Sequence, residues 1–244
     1  MDEIKFLPAG DRALVMEFGQ EIDPAINARI RASLRALDRA KPDYLLETIP
    51  TYRSLLIIYD PIKIGYQELT EELRDLISTG DEEEQTIKIV EIPVIYGGDY
   101  GPDLDYVAQH NGLDKEEVIK IHSSQDYLVY MLGFTPGFSY LGGMDERIAT
   151  PRLAEPRTKI PAGSTGIAGS QTGIYPIDSP GGWQLIGRTP VKLYDPLSDP
   201  PVLLSAGDFV RFIPIDEEDY KRIEKEVEEG SYQVKVLEEG GLDG

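Results

Sequence analysis

Hydrophobic residues along the first third of the chain switch between two periods. The short apolar run "RALVMEF" at 12–18 reads as a strand. Ile26, Ile30, Leu34 and Leu37 then recur every three or four residues, which predicts an amphipathic helix over 24–40. The helix start is marked by Asp23 at the N-cap and Pro24 at the first helical position, where a missing N–H does no harm. "YLLETI" (44–49) and "SLLIIY" (54–59) read as strands, and Leu69, Leu73, Leu76 and Ile77 mark a second helix at about 67–79. "TIKIVEIPVIY" (86–96) is a further strand, bent or at an edge because Pro93 cannot donate to a ladder. This order of elements is that of a split βαβ, ferredoxin-like unit. The acidic run "STGDEEEQ" (78–85) reads as a linker, which sets an N-terminal α/β domain at 1–85 and a second domain at 86–244. The pattern leaves open whether the strand at 86–96 closes the first domain or opens the second.

Beyond residue 96 the texture changes. Short helices are expected at about 103–110 and 115–122, the second with Asp114 and Glu117 in capping-box spacing. "DYLVYML" (126–132), "PVKLYD" (190–195), "DFVRFIPI" (208–215) and "YQVKVLE" (232–238) read as strands, with a charged helix at about 216–229. Between 133 and 187 short apolar pieces alternate with glycine-rich turns, as in a β-barrel or sandwich and unlike a helical or doubly wound domain.

Composition narrows the chemistry. The 244 residues carry 44 acidic against 24 basic side chains, a net charge of −20, which disfavours nucleic acid and anionic membrane surfaces as partners. No apolar run is long enough to span a bilayer, and no signal peptide is visible, so the expected location is cytoplasmic. Cysteine is absent, which removes disulfides, thiolate nucleophiles and cysteine-bound zinc. His110 and His122 stand apart and make no metal site.

Against this acidity, "RTKIPAGSTGIAGSQTGIYPIDSPGGWQLIGR" (157–188) holds one carboxylate, Asp178, and the only tryptophan, Trp183. It contains neither dinucleotide nor Walker-type spacing, and neither Ser164 nor Ser179 stands in a G-x-S-x-G context. Its glycines either make barrel corners or let backbone N–H groups approach an anion. Arg157, Lys159, Gln171 and Arg188 favour the anion site, because turns alone do not require that bias. Trp183 is either a core residue or a pocket wall. Phe134, Phe138 and Tyr140 in "YMLGFTPGFSYLGGM" make either an aromatic-packed connection or a hydrophobic recognition loop. His122, at a helix end, is either a satisfied structural residue or the general base.

The block "LGFTPGFSYLGG", followed by "TPRLAEPRTKIPAGSTGIAGSQTGIYPIDSPGGWQLIGRTP", resembles the PxpB family of bacterial 5-oxoprolinase components, also called the KipI or allophanate-hydrolase-subunit-1-like family. The likeness extends to "FLPAGDRALVMEFG" near the start and "GGDYGPDL" at 97–104. It implies an α+β chain with an N-terminal α/β domain and a C-terminal cyclophilin-like β-barrel. It further implies a cytoplasmic hydrolase component that works with PxpC-like and PxpA-like partners to convert 5-oxo-L-proline to L-glutamate, consuming ATP with Mg. No nucleotide signature lies in this chain, so an ATP site on it is atypical or shared with the partner. The family motif covers Arg157, Gly163, Gly166, Gln171, Tyr175, Trp183 and Arg188, with Lys159 where the family often has arginine and Ser139 where it has proline. The resemblance thus makes His122, Arg157, Gln171 and Arg188 the catalytic candidates. Lys159, Gly163, Ser164, Gly166, Tyr175 and Trp183 are the substrate-binding ones, and Phe134, Phe138 and Tyr140 the partner-binding ones. No metal ligands are expected. The same family contains KipI, an inhibitor of a sensor histidine kinase, so a protein-binding module is the alternative. A peptidyl-prolyl isomerase has only the barrel in its favour.

Overall fold

The computed structural model describes residues 4–78 and 87–239. The expected linker at 78–85 lies almost wholly outside them. The chain divides into two compact units, residues 1–85 and 86–244.

The N-terminal unit contains β1 (Lys5–Pro8), β2 (Ala13–Glu17), α1 (Pro24–Ala40), β3 (Leu45–Pro50), β4 (Ser54–Tyr59) and α2 (Tyr66–Ser78). Asp23 caps α1, its carboxylate accepting from the N–H groups of Ala25 and Ile26 at 2.8 and 3.1 Å. Alternation places Leu14, Met16, Leu55 and Ile57 on one sheet face, where they bury against Ile30 and Leu37 of α1 and Leu69 and Leu73 of α2. The strand order is β1-β2-β4-β3, antiparallel throughout. This is the ferredoxin-like arrangement with its fourth strand supplied by β1, ahead of β2, instead of by the strand after α2.

That later strand, β5 (Ile87–Tyr96), opens the second unit. It is followed by α3 (Leu104–Asn111), α4 (Lys115–Ser123), β6 (Asp126–Leu132), β7 (Ser139–Gly142), a 3-10 turn at Glu146–Ile148, β8 (Arg157–Ile160), β9 (Ser164–Ala168) and β10 (Gln171–Ile174). The unit ends with β11 (Ser179–Gly181), β12 (Gln184–Arg188), β13 (Phe209–Pro214), α5 (Glu217–Glu228) and β14 (Val236–Glu239). The order β12-β9-β10-β7-β6-β13-β5 returns to β12, closing a seven-stranded cyclophilin-like barrel, and β14 adds outside the ring on β5. β5 runs parallel to β13, and the other pairs are antiparallel.

The closing seam depends on one glycine. Gly187 of β12 lies opposite Tyr96, and a Cβ there would sit 2.6 Å from the carbonyl oxygen of Ile95. β5 is central, not at an edge. It tolerates Pro93 because its outer neighbour changes there, from β14 over 87–90 to β12 at 95–96. The expected strand at 190–195 does not form. Val191 and Leu193 fill the core, as their alternation suggested, but Pro190 offers no donor and a single bridge, Tyr194 with Val202, is all the ladder there is. The last strand starts at Val236, not 232. The barrel interior is filled by Ile92, Val94, Tyr127, Val129, Ile167, Ile186 and Phe212. A separate cluster of Phe138, Ile160, Ala168, Tyr175, Trp183 and Leu185 forms a second apolar centre.

Candidate functional site

This second centre opens into a cavity of about 220 Å³. Its walls are the rings of Phe134, Phe138, Tyr140, Tyr175 and Trp183; Pro180, Gly181 and Gly182 form one side, and Arg152 stands at its rim. The rings hold one another edge to face. Phe138 contacts Tyr140, Tyr175 and Trp183 with centroids 5.2, 5.7 and 5.7 Å apart. Such pairs each contribute about 0.5–1.5 kcal/mol beyond area burial, so the walls are pre-formed.

Sequence chemistry explains how Trp183 is seated. Gly166 and Gly173 face each other across β9 and β10, and a Cβ on either would press against the Trp183 side chain at 3.2–3.3 Å. Burial lowers the acidity of the Tyr175 hydroxyl, and the Trp183 backbone beside it partly opposes that effect. Gly181 leaves room for that hydroxyl, since a Cβ there would overlap it. Here the glycines make room for aromatic rings. Gly163, at φ +80°, allows close contact with the Thr189 carbonyl and donates its N–H to Tyr175 O at 2.7 Å. Ser164 is buried in β9.

The cations of the segment are distributed apart. Arg157 donates to Asp103 Oδ1 at 2.7 Å and to the Trp183 carbonyl at 3.2 Å. Lys159 pairs with Asp178 at 2.8 Å, and the other oxygen of Asp178 accepts from Ala162 N at 2.9 Å. Lys159 and Ala162, through these bonds, hold the Asp178 carboxyl below its ordinary range. Arg188 donates to the Ala162 carbonyl at 3.0 Å. Gln171 sits at the β9–β10 hairpin, away from the cavity. Arg152, which the sequence pattern did not single out, is exposed at the cavity and has no ion-pair or hydrogen-bond partner among the described residues. A signal was available: it is the other arginine of the proline-flanked run "PRLAEPR".

His122 lies inside the barrel. Its Nδ1 meets the Tyr96 hydroxyl at 2.7 Å and its Nε2 meets the Thr172 hydroxyl at 2.8 Å. The ring stacks on Phe212 with centroids 4.4 Å apart, and its carbonyl accepts from the Tyr127 hydroxyl. Burial lowers the imidazole pKa to about 3. His122 is therefore neutral and does not line the cavity.

The structure thus gathers into one site two groups that lie apart in the sequence: the expected partner-binding Phe134, Phe138 and Tyr140, and the expected substrate-binding Tyr175 and Trp183. Of these, Phe134 is 70% exposed and Phe138 only 3%. No cluster of potential metal ligands is present among the described residues. No helix among them is long and apolar enough to cross a membrane.

A model of the carboxyltransferase domain, subdomains C and D, matches residues 4–204. The 5-oxoprolinase B subunit of Bacillus subtilis is 47% identical over 229 residues, covering 89% of this chain and 95% of that one. The chain belongs to the 5-oxoprolinase B-subunit family. Another member, from Escherichia coli O157:H7, is 44% identical over 84% of this chain and 93% of its own. The solved urea amidolyase of Kluyveromyces lactis carries the same fold as part of a longer chain. Its match covers 97% of this chain and 16% of that one, at 26% identity and a TM-score of 0.79.

Proposed function

We propose that this protein is the PxpB-type component of an ATP-dependent 5-oxoprolinase, which opens 5-oxo-L-proline to L-glutamate with PxpC-like and PxpA-like subunits in the cytoplasm. The observation that carries the reading is the nearly end-to-end match, at 47% identity, to a protein of that name. The site chemistry agrees with it. A lactam is stabilised by resonance and is poorly electrophilic. Transfer of the terminal phosphoryl group from ATP to its oxygen, with ADP leaving, activates the ring carbon. One water adds there and the amine leaves, opening the ring, and a second water cleaves the resulting acyl phosphate to phosphate and glutamate. Such a reaction needs a pocket that orients a small ring and cations for its charges. The aromatic cavity supplies the first.

The cavity lies below the roughly 300–1,000 Å³ of drug-sized ligand sites, which suits a metabolite of few heavy atoms and is too small for a nucleoside triphosphate. We place ATP and its Mg outside this cavity, at a surface shared with, or supplied by, the partner. The match to a section of a longer urea amidolyase fits a chain that works beside other domains.

The test is co-expression with PxpC-like and PxpA-like subunits, followed by measurement of ATP hydrolysis with and without 5-oxo-L-proline. Hydrolysis that rises with 5-oxo-L-proline and yields glutamate is expected. A stable assembly without that dependence would reject the enzyme reading and leave the kinase-inhibitor alternative.

A further inference from the structure

We infer that the aromatic cavity is a binding site for a small carboxylate on a flat ring, with Arg152 as its counter-ion. The inference rests on the proposed function only for the identity of the natural ligand, 5-oxo-L-proline.

Three observations converge. First, the cavity is built, not left over. Gly173 seats the Trp183 indole, Gly166 leaves room for the Trp183 Cβ and the Gln184 carbonyl, and Gly181 admits the Tyr175 hydroxyl. The rings of Phe138, Tyr175 and Trp183 fix each other edge to face and leave about 220 Å³ beside them. Aromatic walls of this kind take a flat ring, which buries its faces against them.

Second, charge is uncompensated at the rim, while the neighbouring cations are paired. Arg157 is satisfied by Asp103, Lys159 by Asp178, and Arg147 by Asp145. Arg152 has no such partner among the described residues, in a chain whose acidic side chains outnumber its basic ones by 44 to 24. Of the arginines without an ion-pair partner among the described residues, Arg152 is the one that lines the cavity, and its fork matches a carboxylate. Third, Arg152 lines the same cavity as the Tyr175 hydroxyl and acts on it electrostatically, a small effect beside burial, so the guanidinium is within reach of a ligand held against Tyr175.

Because all the walls belong to this chain, binding does not require a partner. Trp183 is the only tryptophan and lines the cavity, so its fluorescence reports occupancy directly. The full chain is titrated with 5-oxo-L-proline and with 2-pyrrolidinone, the same ring without the carboxylate. A saturable change with 5-oxo-L-proline is expected, with 2-pyrrolidinone weaker by roughly ten- to a hundred-fold, the usual effect of losing one charged hydrogen bond. Arg152→Ala should cost the same factor for 5-oxo-L-proline and bring the two ligands level, with an unchanged near-ultraviolet spectrum showing an intact fold. No saturable response in the wild type, or equal affinities for wild type and Arg152→Ala, overturns the site. The assembled complex separates the two ideas. ATP hydrolysis that depends on 5-oxo-L-proline, with an unaltered KM in Arg152→Ala, removes the site and keeps the function. Binding through Arg152 without such hydrolysis keeps the site and removes the function.

Discussion

The Arg157 guanidinium reaches across 54 positions to Asp103, 2.7 Å away, and the other oxygen of that carboxylate takes the backbone N–H of Leu185 at 2.6 Å. Asp103 stands at the N-cap of α3, yet its side chain makes no capping bond. It instead ties α3 to β8 and β12. The side chains are 29% and 13% exposed, so the pair is largely withdrawn from water.

Removing one partner leaves the other charge poorly solvated. Arg157→Ala should therefore destabilise the fold by about 1–3 kcal/mol, short of the ~3–5 kcal/mol of a completely buried pair. Lys159→Ala, at a pair exposed by 71% and 54%, should cost less than about 1 kcal/mol. Urea unfolding of the two variants checks the contrast. Equal stabilities would deny the Asp103 contact its structural role and return Arg157 to the ligand-binding candidates.

Gly173→Ala places a methyl group 3.2 Å from the Trp183 ring and 3.4 Å from the Ser139 carbonyl. One of them must move. The expected cost is about 1–3 kcal/mol, together with an altered near-ultraviolet signal from the single tryptophan. A variant with wild-type stability and spectrum would mean that the ring is not seated on this glycine.

Local chemistry made much of the fold legible. The bounds of α1, β4 and β6 follow from period, cap and composition, because those signals lie within the elements themselves. Long-range partners leave no such trace. Within 157–188 Asp178 is the single carboxylate and it takes Lys159; Asp103 answers Arg157 from a distant loop, Arg188 has a backbone carbonyl and no ion pair among the described residues, and the guanidinium at the cavity is Arg152. The segment 190–195 misled for the converse reason. Its alternation reports burial of Val191 and Leu193, and burial does not require a ladder. The placement of β5 was undecidable locally, since an apolar strand fits either sheet and the choice is made by β13 and β12.

His122 gives a pH dependence of defined sign. The folded barrel keeps its imidazole neutral down to about pH 3, whereas the unfolded chain protonates it near the ordinary value of 6.5. Above pH 6.5 the residue has no effect on the slope. Below it the unfolded state binds the extra proton, so stability falls with falling pH until the folded imidazole also titrates. The maximal slope for one group is about 1.4 kcal/mol per pH unit. Between pH 7 and 5 the wild type should lose about 2 kcal/mol more than His122→Gln, measured by urea unfolding at each pH. Parallel profiles would place a charged or solvated imidazole at this position.

Docking to the proposed PxpC-like partner should use Phe134. Phe134 is held at φ +66°, a conformation that bulky residues rarely adopt and that costs of order 1–3 kcal/mol. It exposes 70% of its surface at the cavity mouth, with only an edge contact to Phe138, centroids 5.7 Å apart. Strain that presents an aromatic ring to solvent is offset when a partner buries that ring, and aromatic anchors dominate interface energetics. Phe134→Asp should leave unfolding within about 1.5 kcal/mol of wild type, because it loses one edge contact while Asp tolerates the left-handed backbone better than Phe. It should weaken association with the PxpC-like partner roughly ten-fold or more, as for a central interface residue. Phe138→Asp is no substitute, since at 3% exposure it would place a charge inside the aromatic cluster and unfold it. Affinity is read by co-purification and by titration calorimetry. An unchanged affinity for Phe134→Asp would move the interface away from this loop.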